Sequence, residues 1–432
     1  MAAAGYEPPA NGVATRNNSY CSIFGRAAMG PSAEDGHATL VAAQLAQMQL
    51  NEATAPGLSC WQERRSALLA RRDDNQAEGT VRADLPTHLF VLVHGNNGHP
   101  TDFDVVAAAL VAQFPPGSIA ILQSNVNMRQ KTRAGIAQCG HRLALEILTW
   151  LLTFRVPDTS SPRRLSMLGH SFGGLIARHC LPFLLHTLSA MHIQPTSFVT
   201  LCTPHLGSRK PGGSLPRVFS KWLVHRILLT QRLYGQTGLD LLVLGTSTDQ
   251  ATLEAMSAPD SVYVRALAAF EHRTAVGLAT GDHLVAHAAS TISLSCADET
   301  NLAPKGMWSW AVEHNDFAPA HLSLAPPLPT PLELEHRVEC VPQLHDGYIA
   351  DARRRIAFTK SMLTGLQSVG WRRMHLHIRA PLQHWLKLHN WPLAIRQAPL
   401  AEPSSKAFVA LLASTLAVDH GIAGLDSTKT DV

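Results

Sequence analysis

From Thr87 onward the chain alternates short apolar runs with longer stretches whose apolar residues recur at helical spacing. That rhythm predicts an α/β fold, a mostly parallel sheet with helices on both faces. The first run, His88 to Val93, is apolar at five consecutive positions, as a strand buried on both sides requires. A helix over Asp102 to Gln113 follows, broken by Pro115-Pro116-Gly117 before a second strand, Ser118 to Gln123. Gly135 to Phe154 reads as a long helix, with Ile136, Leu143, Leu145, Ile147, Leu148, Leu151 and Leu152 supplying its apolar face. Arg164 to Leu168 is a short strand running into a helix from Leu175, and Ser197 to Cys202 and Arg273 to Ala279 are further strands. The closing unit is helix Ala352 to Gln367, strand Trp371 to Ile378 and helix Ser404 to Val418, the last with Ser404 or Ser405 as N-cap.

Two segments break the rhythm. Residues 205–260 include the amphipathic run Trp222 to Leu229 and read as a cap or lid. Residues 293–345 are rich in Pro and His and read as a surface insertion. Residues 1–85 form an irregular, partly disordered extension with one helical stretch, Ala38 to Gln49, and residues 421–432 a flexible tail. The catalytic candidate is therefore one domain, residues 86–420.

Composition narrows the class further. With 46% apolar and 16% charged residues the chain can build a large core. A net charge of +4 with scattered Lys and Arg leaves no nucleic-acid footprint. Seven cysteines without a CxxC pair indicate neither a disulfide framework nor a zinc site, which points to a reducing, intracellular and cytoplasmic setting. Met1 to Tyr20 lacks the apolar core of a secretory signal, and Pro residues interrupt both long charge-free stretches, so no transmembrane helix is expected.

Chemistry concentrates at Gly169-His170-Ser171-Phe172-Gly173-Gly174, a GxSxG between a predicted strand and a predicted helix. So tight a turn needs small residues at Gly169 and Gly173, and it lifts the Ser171 hydroxyl above the sheet as a nucleophile. The bland alternative, a glycine-rich turn without a catalytic role, explains less of the flanking pattern. In the α/β-hydrolase fold that this elbow predicts, an acid and then a histidine follow the serine in the chain. Asp282, in the Thr-Gly-Asp loop after strand Arg273 to Ala279, is the preferred acid over Asp240, Asp249 and Asp260. His389 and His384 both lie between the last strand and the last helix; His389 is the preferred base and His384 the alternative, while His375 and His377 sit inside the strand as structural residues. The oxyanion donors are expected from the main chain of Phe172 and from Asn96 in His94-Gly95-Asn96-Asn97-Gly98, with His94, Gly95 and His170 supporting.

These residues resemble the lipase-like putative serine esterase family of the α/β hydrolases. The likeness rests on Phe90-Val91-Leu92-Val93-His94-Gly95, on Gly140-His141-Arg142-Leu143-Ala144, on the elbow, and on Thr203-Pro204-His205-Leu206-Gly207. It implies lipase, phospholipase or acyl-ester hydrolase activity, often at lipid droplets or membranes. By the resemblance, His389-Asn390 to Arg396 matches the family's histidine stretch, which favours His389, whereas Val285-Ala286 departs from the family's Val-Pro. The expectation is cleavage of carboxylic esters of lipid-like, apolar substrates through an acyl-serine, with no cofactor, no metal and no nucleic-acid partner, and with peripheral membrane or lipid-droplet contact. Thioesterase or acyltransferase chemistry on the same triad, and a catalytically degenerate lipid-binding or scaffold protein, are the competing readings.

Overall fold

The computed structural model describes residues 83–156, 162–208, 231–243, 251–259, 261–279, 282, 284–292, 312–313, 360–376, 378, 388–395 and 402–422. His384, His377, Asp249, Asp260, Trp222 to Leu229 and nearly all of the Pro-rich segment lie outside these residues.

Six strands run parallel: β1 (His88–Val93), β2 (Ile119–Gln123), β3 (Arg163–His170), β4 (Ile193–Leu201), β5 (His272–Leu278) and, after the two-residue β6 (Val312–Glu313), β7 (Arg372–Leu376). Their spatial order is β2-β1-β3-β4-β5-β7-β6, with β6 antiparallel at the edge. The apolar run of β1 serves both faces. Leu89, Val91 and Val93 enter one core with helices α1 (Ile136–Leu151) and α2 (Phe172–Ala190), while Phe90 and Leu92 enter the other with the helices Asp104–Gln113 and α3 (Glu402–Asp419). Strict alternation of Cβ direction along an extended chain produces this division.

Several boundaries differ from the sequence expectation for local reasons. β4 begins at Ile193, four residues early, although Pro195 cannot donate to a ladder. The register shifts between Leu165 and Met167 on the neighbouring strand, and the Ser166 hydroxyl takes the Ser197 N–H at 3.0 Å, supplying the bond that regular pairing would have made. The last helix begins at Glu402, so neither Ser404 nor Ser405 is its N-cap. Ser405 is buried instead and donates its hydroxyl proton to the Trp391 carbonyl, tying the helix to the loop that carries His389.

A buried polar network closes the opposite end of the sheet. Asp419, at the end of α3, pairs with Arg372 on β7 and accepts the Ser197 hydroxyl at 2.6 Å. His420 Nε2 pairs with Ser166 Oγ at 2.7 Å, its Nδ1 lies 3.0 Å from that of His88, and its ring stacks on Phe90.

Candidate active site

Four loops at the carboxyl ends of parallel strands carry the predicted site residues. Asn96 follows β1, Ser171 follows β3, Asp282 follows β5 and His389 follows β7. In an open α/β sheet this is the end where helices diverge and a ligand can enter.

Ser171 sits at φ 52°, ψ −126°, a conformation forbidding to most L-residues, between the last residue of β3 and the first of α2. Its N–H donates to the Leu201 carbonyl at 2.8 Å, and its own carbonyl accepts from Gly174 N–H at 3.1 Å. The glycines around it are demanded by contact. A Cβ at Gly173 would press on the Val93 and His94 carbonyl oxygens, and one at Gly169 would meet the main chain of Gly174. A Cβ at Gly95 would come within 3.0 Å of the Ser171 Cβ, so the loop after β1 lies directly against Ser171.

Asp282 and His389 meet although 107 positions separate them: His389 Nδ1 donates to Asp282 Oδ2 at 2.8 Å, and both side chains are buried. Asp282 Oδ1 accepts the N–H groups of Leu284 and Val285, each at 2.9 Å. Burial alone would raise this carboxyl, but the imidazole and the two N–H donors overcome it and hold the acid below the usual carboxylate range. An ionised Asp282 fixes the tautomer in which His389 Nε2 lacks a proton. That Nε2 is buried without a hydrogen-bond partner among the described residues, Ser171 Oγ included. It is the ring position from which a general base would accept a proton.

His170 adds support of a kind the elbow motif did not specify. Its Nε2 donates to the His389 carbonyl at 2.9 Å, which pins the base loop to the end of β3. Burial and the neighbouring His389 push its pKa down to about 3, so it stays neutral. His94 is also buried, with Nδ1 donating to the Gly95 carbonyl at 3.0 Å, which shapes the start of the oxyanion loop.

The two expected oxyanion donors are both available. Phe172 opens α2, and the leading N–H groups of a helix have no intrahelical acceptor. The Asn96 main-chain N–H meets no acceptor among the described residues, whereas the next amide, Asn97, is taken by Thr132 Oγ1 at 2.9 Å.

Asp240 has a different employment. Its Oδ2 accepts the Ile136 N–H at 2.7 Å at the start of α1, far along the chain from the acid loop. His205 is buried between Thr200 Oγ1 at 2.9 Å and the Arg178 guanidinium at 3.2 Å, so it anchors its loop. His375 pairs with His287 at 2.7 Å inside the sheet end.

Cys202 went unread in the sequence, although it stands beside the acid. Its thiol, Asp282 and His389 bring ligand atoms within 4.8 Å of one another. As a metal set the trio is poorly prepared. The acid and imidazole are spent on each other, and burial, reinforced by the Asp282 charge, pushes the thiol well up, away from the thiolate a metal binds. Thr132 was missed as well, because a hydroxyl in a polar loop gives no periodic or motif signal.

The profile described as a putative serine esterase matches residues 84–297, which contain Asn96, Ser171 and Asp282. Residues 84–297 belong to that family. Two yeast proteins are similar to part of this chain. The putative lipase C4A8.10 of Schizosaccharomyces pombe is 28% identical over 220 residues, 48% of this chain and 26% of the relative. The putative lipase ROG1 of Saccharomyces cerevisiae is 28% identical over 160 residues, 36% and 21% respectively. The chain thus spans about a quarter of the length of these relatives. Among solved structures, phospholipase PlaB from Legionella pneumophila aligns at 15% identity and TM-score 0.30, covering 44% of this chain and 39% of that one. A lipase-esterase related protein from Clostridium acetobutylicum aligns at 13% and 0.25, covering 49% and 82%. Likeness at that level says nothing about the esterase region's substrate. No helix among the described residues is long and apolar enough to cross a membrane.

Proposed function

We propose that this chain is a serine esterase of lipase type, hydrolysing carboxylic esters of lipid-like substrates through an acyl-Ser171 intermediate. In the first half-reaction His389 Nε2 takes the hydroxyl proton as Ser171 Oγ attacks the ester carbonyl carbon. The oxyanion that forms is held by the Asn96 and Phe172 main-chain N–H groups, and Asp282 stabilises the imidazolium. Collapse breaks the ester C–O bond, and the departing alcohol leaves with the proton from His389. Water then repeats the sequence on the acyl-enzyme, releasing the acid and restoring Ser171.

The observation that carries this reading is the 2.8 Å Asp282–His389 hydrogen bond at the same sheet end as a serine held at positive φ. Both yeast relatives bear the name putative lipase, which favours a lipid ester over a short soluble one. Peripheral contact with membrane or lipid-droplet surfaces follows from such a substrate. Cys139, Cys180 and Cys202 are buried and unpaired, in keeping with a reducing, intracellular compartment.

The test is covalent labelling. A fluorophosphonate probe should modify the wild-type chain and leave Ser171→Ala untouched; equal labelling of the two removes the proposal. Hydrolysis of p-nitrophenyl esters of increasing acyl length should then rise toward the long chains, and a maximum at acetate would replace the lipase by a short-chain esterase.

A further inference from the structure

The segment that packs against the oxyanion loop is the 3₁₀ turn Arg129–Ala134, and one residue in it makes contacts in two directions. Thr132 is wholly buried. Its hydroxyl accepts the Asn97 N–H at 2.9 Å and presents its one proton to Asn96 Oδ1 and the Arg129 carbonyl, each at 2.8 Å. Asn97 is held at φ 54°, and Arg129 N–H donates to the Gly98 carbonyl at 2.9 Å, so the turn Asn96-Asn97-Gly98 is secured at three successive residues. Bonding the Asn97 amide removes it from competition and leaves the Asn96 N–H free, the geometry an oxyanion donor needs.

On its other side Thr132 meets the kinked helix Gln231–Leu241, part of the 205–260 segment that the sequence marks as a cap or lid. Thr237 Oγ1, on the kinked helix Gln231–Leu241, donates to the Thr132 carbonyl, and the same hydroxyl accepts the Gly135 N–H at 3.1 Å. Asp240 of that helix accepts the Ile136 N–H. The fit is close from both partners. A Cβ at Gly135 would meet Gln236 Cγ at 2.7 Å and Asp240 Oδ2 at 2.8 Å, and a Cβ at Gly235 would press on the Arg133 carbonyl. Gly235 and Gly135 both adopt positive φ, 53° and 92°, which a side chain would also oppose. This helix is seated on the 3₁₀ turn by side-chain-to-main-chain bonds as well as by apolar packing.

We propose that Thr132 is a positioning residue for acyl transfer, its hydroxyl setting the Asn96–Asn97 turn and its carbonyl coupling that turn to the docked cap helix. The proposal rests on Ser171 being the nucleophile with Asn96 as oxyanion donor. Seating the cap would then complete the oxyanion hole, and a cap displaced from the 3₁₀ turn would leave the hole misaligned while the triad stayed intact.

The experiment compares Thr132→Val, Thr132→Ser and Thr237→Val in the full chain, reading kcat and KM on a p-nitrophenyl ester and the rate of fluorophosphonate labelling, with urea unfolding as the check on folding. Valine keeps the shape of threonine and removes the hydroxyl, so kcat and labelling rate should fall about 10- to 100-fold with KM within about twofold, since the loss is in transition-state alignment. Serine retains the hydroxyl and should stay within about threefold of wild type on the same argument. Thr237→Val should lower kcat in the same direction, and the double variant should be no slower than Thr132→Val alone, because the two act in series. Wild-type kcat in a folded Thr132→Val overturns the inference, and multiplying effects in the double variant overturn the coupling. If Thr132→Val does not fold, wild-type kcat in Thr237→Val overturns the coupling instead. A wild-type chain that no fluorophosphonate labels removes the Ser171 reading, and this inference with it.

Discussion

Acidification should unfold this protein well before its carboxylates titrate, because several imidazoles are buried in a neutral state. Burial and the nearby His389 lower His170 to about 3, and burial with the neighbouring His88 lowers His420 to about 2, against an ordinary 6.5. His179 and His205 are driven well below 6.5 in the same way, by burial first and then by His141 and Arg178 respectively. Below pH 6.5 the unfolded chain binds protons at these sites and the folded chain does not, so stability rises with pH across this window. The stabilisation is complete above the unfolded value and drains away as pH falls from 6.5 toward 3. Between pH 7.5 and 5.5 His170 and His420 each cost about 1.4 kcal/mol, about 3 kcal/mol together, and His179 and His205 act in the same direction. Urea unfolding followed by tryptophan fluorescence at half-unit steps of pH would measure this slope, and His420→Gln should reduce it by about one proton. A midpoint that stays level from pH 7.5 to 5.5 refutes the reasoning, since it would mean that these sites take up protons in the folded state as readily as in the unfolded one.

Asp282→Asn should fold normally and lower kcat by about 10⁴-fold, because a neutral amide no longer fixes the His389 tautomer or stabilises its charged form; a loss under tenfold in steady-state hydrolysis would mean that another acid serves His389. Gly173→Ala drives a Cβ into two rigid carbonyl oxygens of β1 and the loop after it, and should destabilise by about 1–3 kcal/mol or more, seen as a lower urea midpoint with less soluble protein. An unchanged midpoint would show that the elbow relaxes around the added methyl.

Much of this arrangement was legible in the chain because it is written locally. An apolar hexamer ending in His94-Gly95, an elbow flanked by a strand and a helix, and Thr280-Gly281-Asp282 at the end of a strand each declare themselves within ten residues. The choice of base was not local. Residues between β7 and α3 offered two histidines at comparable distance; His389 is held by a bond across 107 positions together with the His170 tether to its carbonyl, while His384 lies outside the described residues. The start of β4 was hidden by Pro195, whose effect is absorbed by a bulge that sets Thr196 and Ser197 of β4 against Ser166 of β3. The role of Ser405 was hidden for the opposite reason: serine near a helix start reads as a cap by default, and only tertiary contact shows its hydroxyl spent on Trp391. Neither Cys202 nor Thr132 was singled out for chemistry, since the contacts of both are with distant segments.

The positive-φ residues explain why the site survives being strained. Of the non-glycine residues with positive φ, Asn97, Arg129, Ser171 and Cys202 all lie in the loops that carry or brace the proposed chemistry. Each such residue costs on the order of 1–2 kcal/mol and persists only where its surroundings over-determine it. Here they do. Val93 is in register with Gly169, and Leu201 with both His170 and Val276, so β1, β3, β4 and β5 deliver their loops at one level. Ser171 N–H is taken by Leu201 and Cys202 N–H by Val276, which makes each strained residue a hydrogen-bond donor to the next strand. Relaxing the Ser171 backbone would therefore break a sheet bond and press the neighbouring loop outward, at a cost close to the strain it relieved. The sheet register is what brings the loops of Ser171, Asn96 and Asp282 to one end of the sheet together.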